Sequence, residues 1–235
     1  MNKKGIIVGD SIENLINSES SPEKTQIESS EVLNGFTPLT EIPLTEYALE
    51  KMYVMAEEVT NLTENQVEVY ALAVGNNHII EDVLIPRQTV HYAFVNVETD
   101  AILQLTSYIR TNHITVLGWT HSHGNLAVFF SGTDYSNQHT ILSETSNFRF
   151  WNGIQVKYAY GMTVNLQRNR FGIVSTQVFT GKIFHEPADF RILPTPFDWD
   201  EHEIRRKIRE ELKTKIHFES KKLEKKRKKY DIRKI

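Results

Sequence analysis

Two histidines one residue apart, His121 and His123, stand in the stretch Trp119–Asp134, which reads WTHSHGNLAVFFSGTD. In extended backbone, side chains i and i+2 face the same side. Both imidazoles can therefore converge on one ion, at Zn–N distances of about 2.0 Å. Asp134 closes a three-ligand set. It falls at the start of an expected helix, where the helix dipole favours an ionised carboxylate. Three protein ligands leave a fourth position to water, the arrangement of a catalytic rather than a structural zinc. The chain has no cysteine, which excludes disulfides, thiolate metal sites and cysteine nucleophiles. A metal must then sit on histidine and carboxylate.

Each piece also has an ordinary reading. A lone His-x-His is usually two surface histidines. Ser131 or Thr133 could simply cap a helix, and Phe129-Phe130 could be loop or core packing. The combination is more specific: His-x-His, seven residues, Ser, two residues, Asp. A chance match in a chain of this length is on the order of one in a thousand at ordinary residue frequencies.

The elements that must position these residues can be read from periodicity. Leu44–Thr60 is expected as a helix, with Ala48, Met52, Met55 and Val59 on one stripe and Thr45 as N-cap. Gln66–Gly75 and His78–Pro86, joined at Asn76-Asn77, read as a β-hairpin. A second helix spans about Thr99–Arg110 and a buried strand His113–Thr120. Residues 121–133 are expected as a loop and Asp134–Glu144 as a third helix. Strands follow around Ile154–Gln167 and Phe171–His185, with Asn169 in the turn. Helices alternating with strands of mixed direction give an α/β sandwich. Glu68 interrupts the apolar run Val67–Leu72, where a carboxylate is costly unless exposed, paired or functional. Its rivals, Glu57, Glu58 and Glu64, belong to the first helix and the loop after it.

The ligand string, with Gly118-Trp119 before it, resembles the JAMM motif of the MPN-plus family, zinc isopeptidases that include deubiquitinases of the proteasome lid and of endosomal sorting. The resemblance implies an MPN (JAB)-like α-β-α sandwich around a mixed sheet, with one catalytic Zn2+ on His121, His123 and Asp134. It also implies Glu68 as the general base and acid, and Ser131 as a hydrogen-bond donor to the oxyanion. The implied reaction is hydrolysis of the amide between a ubiquitin or ubiquitin-like C-terminus and a lysine, so conjugates of that kind are the expected partners. An assembly scaffold, or a hydrolase of another peptide or sulfur-carrier amide, is the alternative. One departure stands out: the family commonly has proline after the second histidine, and here it is Gly124.

Composition frames the rest. At 40% hydrophobic and 24% charged, the 235 residues can build a core, and no apolar run approaches the ~18 residues of a membrane span. The net charge of −3 hides an asymmetry: residues 202–235 carry 15 Lys/Arg against 6 Asp/Glu, a balance of +9, which leaves −12 for the rest. Residues 1–38 read as a flexible leader with a short helix near Ile12–Ile16, 39–190 as the catalytic domain, and 191–235 as a linker and basic amphipathic helical tail. That tail, with the run Lys221–Lys229, is expected to be dispensable for metal binding. It would suit a partner protein, and nucleic acid less well, since polybasic runs bind it without specificity. A cytoplasmic address fits the absence of cysteine and of an apolar leader.

Overall fold

The structure, a computed structural model, describes residues 36–91 and 94–218. Most of the expected leader and the Lys221–Lys229 run therefore lie outside the described residues. In chain order the elements are β1 (Glu41–Thr45), α1 (Glu46–Thr63), β2 (Tyr70–Asn76), β3 (Ile79–Leu84), β4 (Gln88–Val90), β5 (Val95–Val97), α2 (Thr99–Thr111) and β6 (Thr115–Ser122). They continue with α3 (Gly132–Glu144), β7 (Phe148–Trp151), β8 (Ile154–Val164), β9 (Arg170–Gln177), β10 (Ile183–Pro187), β11 (Asp189–Leu193), α4 (Glu201–Lys215) and β12 (Ile216–Phe218).

Local chemistry sets the boundaries. Thr45 caps α1, its hydroxyl accepting from Ala48 N at 3.2 Å. The β2–β3 turn has positive φ at Asn77 and His78, 50° and 68°, as a two-residue turn compatible with strand twist requires. The main sheet runs β10-β9-β8-β6-β2-β3-β1-β11, with β7 paired to β8. β6 runs parallel to β8, and β1 parallel to β3 and β11, while the other pairs are antiparallel. β6 and β8 approach so closely that a Cβ at Gly118 would collide with the Tyr160 carbonyl. Along β2 the side chains alternate between layers. Ala71 and Ala73 join the core under α1 and α4, whereas Leu72 and Val74 pack with Ile109 of α2. This is the expected α-β-α sandwich about a mixed sheet. No described helix is long and apolar enough to cross a membrane.

The C-terminal stretch departs from the expected linker and tail. β11 pairs in register with β1, across the expected boundary at 190. α4 ends at Lys215 rather than continuing as one long helix, and β12 pairs with β4 in a second sheet of order β12-β4-β5. The apolar face of α4, Ile204, Ile208 and Leu212, is buried in the same core as α1, while Ile216 belongs to β12. The reason is a charged pairing that sequence periodicity does not reveal. Glu58 on α1, only 1% exposed, accepts from Arg205 Nη1 at 2.8 Å and Arg209 Nε at 2.7 Å. Burial would raise the Glu58 pKa, but the hydrogen bonds and charges of Arg209 and Arg205 hold it below the usual carboxylate value. Leu212→Ala should therefore destabilise the domain by about 2–5 kcal/mol, the range for an emptied core position. Urea unfolding should show a lower midpoint at unchanged slope.

Candidate metal centre

The strand β6 runs two residues beyond its expected end and carries His121 inside the sheet, opposite Tyr70 of β2 and Thr163 of β8. His123 follows at once, its backbone N–H donating to Val164 O at 2.9 Å. Between them, Ser122 is fully buried and turned toward the start of β2. Its Oγ accepts from Val69 N at 3.1 Å and its N–H donates to Val69 O at 3.0 Å. The i, i+2 expectation for the two imidazoles holds, for their Nε2 atoms lie 2.9 Å apart. His123 Nδ1 lies 2.8 Å from Ala127 O. A carbonyl can only accept, so Nδ1 carries the proton and Nε2 presents its lone pair, as for a metal-ligating histidine oriented by a backbone carbonyl.

Asp134 approaches from α3. Its carboxylate and Ser131 form a reciprocal capping box. Oδ2 accepts from both the N–H and the hydroxyl of Ser131 at 2.7 Å, and Asp134 N donates back to Ser131 Oγ at 3.3 Å. Oδ1 is left 3.5 Å from His121 Nε2. The donor atoms of His121, His123 and Asp134 all lie within 4.8 Å of one another, and all three residues are buried. Burial, opposed in part by the Asp134 charge, lowers the His121 pKa below the usual histidine value and so favours the neutral imidazole. Two imidazoles and one carboxyl group converging in a buried spot are a donor set that fits a divalent cation of the zinc type.

Glu68 precedes β2 by two residues rather than lying within it. Its backbone is nonetheless held in place. Glu68 N donates to His91 O at 3.1 Å, and Val69 is clamped by Ser122. The buried Gln88 side chain accepts from Tyr70 N and donates to Tyr70 O, each at 2.8 Å, in the manner of a neighbouring strand. The half-buried carboxyl lines the same cleft as the triad. Burial, and then the negative charge of Asp134, raise its pKa to about 7. A carboxyl poised there can both take and return a proton near neutrality. The rivals fall away: Glu57 and Glu58 bind Arg205, Glu64 caps α1, and none of them lines the cleft.

The cleft has a volume of about 400 Å³, with Glu68, the triad and Ser131 on its walls and Phe94, Val95 and Val97 bounding one side. Phe129-Phe130 divides its duties. Phe130 is buried against Trp119, whereas Phe129 is 50% exposed at the cleft and meets His123 edge to face at 5.1 Å. Trp119 stacks on His121 at 4.9 Å and on Tyr70 at 5.6 Å. Its Nε1 donates to Gln138 Oε1 at 2.6 Å, and Gln138 Nε2 donates to Ala159 O at 2.9 Å. Sequence reasoning gave Gln138, Gln88 and Ser122 no role, and Trp119 only a place beside the motif. Two of them carried a signal. Trp119 is two residues before His121 on one strand face, and Gln138 is four after Asp134 on one helix face.

The Gly124 departure acquires a reason here. Its φ is +53°, and its carbonyl accepts from Leu166 N at 2.8 Å, which turns the chain out of the site just past His123. Proline, fixed near a φ of about −65°, cannot adopt that geometry. Gly124→Pro is expected to cost more than about 1 kcal/mol in stability and to weaken metal binding. Metal titration beside thermal unfolding would measure both.

No family model and no curated protein matches this chain. Among solved structures, a JAB1/MPN domain protein from Archaeoglobus fulgidus is similar over 65% of this chain and 98% of its own, at 12% identity and a TM-score of 0.30.

Proposed function

We propose that this chain is a zinc-dependent hydrolase of the JAMM type, cleaving the isopeptide bond between a ubiquitin or ubiquitin-like C-terminus and a lysine. One observation carries the reading: the buried convergence of His121, His123 and Asp134 on the wall of a cleft that also holds Glu68. These three residues would hold the ion. Zinc, when bound, supplies a Lewis acid that lowers the pKa of a water and polarises the scissile carbonyl.

The chain's own residues supply the rest. Glu68 takes a proton from the attacking water and passes it to the leaving amine. Ser131 Oγ faces the cleft but donates to Asp134 Oδ2. To stabilise an oxyanion it must turn its hydrogen toward the substrate, and Asp134 then keeps the Ser131 N–H bond and its orientation. The sheet order β12-β4-β5 leaves the outer edge of β5 unpaired among the described residues. That edge borders the cleft and suits an extended C-terminal tail added as a strand. The basic run beyond Phe218 is assigned to recruitment of an acidic partner.

Metal analysis should find about one zinc per chain. His121→Ala with His123→Ala should lose it, and full retention of zinc would overturn the ligand set. The purified protein should cleave ubiquitin-type conjugates, stop on chelation and recover with zinc. Hydrolysis of free peptides in place of conjugates would favour the alternative amide substrate, and bound zinc without any hydrolysis would favour a scaffold.

A further inference from the structure

On another face, the loop of residues 194–200 between β11 and α4 carries a second cleft. The loop is anchored at both ends. Thr195 Oγ1 accepts from Tyr47 N at 3.0 Å, and the Asp200 side chain caps α4 by accepting from Glu203 N at 3.2 Å. Between these anchors, Phe197 and Trp199 are 53% and 36% exposed. Both stand nearly perpendicular to the Tyr47 ring, Phe197 at 5.2 Å and 69°, Trp199 at 6.4 Å and 71°. The three rings together line a cleft of about 450 Å³.

The rim is acidic. Asp198, Asp200 and Glu203 all line the cleft. Asp200 is engaged in its cap, and Glu203 is paired with Arg206 at 2.8 Å and Lys207 at 3.4 Å. Asp198 has no ion-pair partner among the described residues. Lys207 also lines the cleft, but it is tied to Glu203 and its side chain is 65% exposed. Lys51 Nζ stands 5.9 Å from the Tyr47 centroid, but it is held by Asp82 at 2.6 Å and does not line the cleft. A neutral apolar ligand would strip water from Asp198 without compensation. An ammonium would meet both the ring quadrupoles and that carboxylate.

We infer that the Tyr47–Phe197–Trp199 cleft binds an organic ammonium, the head of a lysine side chain, methylated or not, presented by a protein partner. The cleft shares no residue with the metal centre, so this inference stands apart from the proposed hydrolase.

Calorimetric titration of the full chain tests it, with choline and its uncharged isostere 3,3-dimethylbutanol as one pair of probes. Nα-acetyl-lysine amide and its Nε-trimethyl form are the second pair, and their ratio distinguishes a plain from a methylated lysine. Choline should bind saturably and at least tenfold more tightly than the alcohol. Trp199→Ala and Phe197→Ala should each weaken binding by about 3- to 30-fold with the thermal midpoint unchanged, and Asp198→Asn should weaken it by a smaller factor. If Trp199→Ala lowers the midpoint, the Phe197→Ala comparison decides. Equal binding of the alcohol, no saturable binding of any ammonium, or undiminished binding after loss of an aromatic ring would overturn the assignment.

Discussion

Glu68→Gln is expected to leave zinc content and unfolding unchanged while lowering the rate of hydrolysis by about 10²–10⁴-fold, the usual weight of a general acid–base. The amide keeps the shape of the carboxyl but cannot accept the proton. The segment is held by backbone contacts to His91, Ser122 and Gln88 rather than by the carboxyl, so the substitution should not move β2. Glu57→Gln and Glu58→Gln, on the α1–α4 interface, are the controls: they should affect stability and leave the chemical step intact. The pH profile gives a second readout. In the proposed reaction Glu68 works as the carboxylate, so the rate should fall as acid protonates it. Burial and the Asp134 charge put the pKa near about 7 without a cation. A bound cation favours the carboxylate and should carry that acid limb lower. Loss of the limb in Glu68→Gln, together with the loss of rate, would tie the limb to this residue. Wild-type speed in Glu68→Gln would remove Glu68 from the mechanism.

What sequence reasoning could reach was set by local physics. Thr45 as cap, the stripe on α1 and the turn at Asn77 are decided by residues within a few positions of one another, and they were legible. So was the triad, because i, i+2 spacing on a strand and a carboxylate at a helix start fix direction without any tertiary detail. The extent of β6 was not legible, since a histidine ending a strand looks like a histidine beginning a loop until Thr163 and Tyr70 pair with it. Short strands such as β4, β5 and β12 have three residues each and leave no period to read. Gln88 shows the same limit, for its amide completes a ladder between segments that only the fold brings together. The φ of Gly124 was equally out of reach. Sequence shows only that glycine stands where proline is common, not that the backbone there takes a conformation closed to proline.

The C-terminus shows the largest difference and gives the other large expected effect. A chain ended after Pro196 should fail to fold, although charge patterning suggested that everything beyond it was an appendage. The truncation removes Ile204, Ile208 and Leu212 from the core. At about 1.5–3 kcal/mol for each buried side chain, that loss rivals the ~5–15 kcal/mol by which whole domains are stable. It also takes both arginines from Glu58 and strips β12 from β4, leaving β4–β5 as an isolated two-stranded unit, which is marginal in water. That unit lines the cleft that holds Glu68 and the triad through Val95 and Val97, so the damage should reach the candidate metal centre as well as the core. A chain ended after Phe218 keeps all these contacts. It discards nine Lys/Arg and three Asp/Glu, and with them two-thirds of the basic balance that began at residue 202. It should fold, bind zinc and turn over a small substrate as the full chain does, while losing salt-dependent affinity for acidic partners. Circular dichroism, metal analysis and cleavage at low and high salt on the two truncations separate these outcomes. A cooperatively folded, zinc-binding protein ending at Pro196 would show that α4 is an appendage after all. Identical failure of both truncations would move the structural boundary past Phe218.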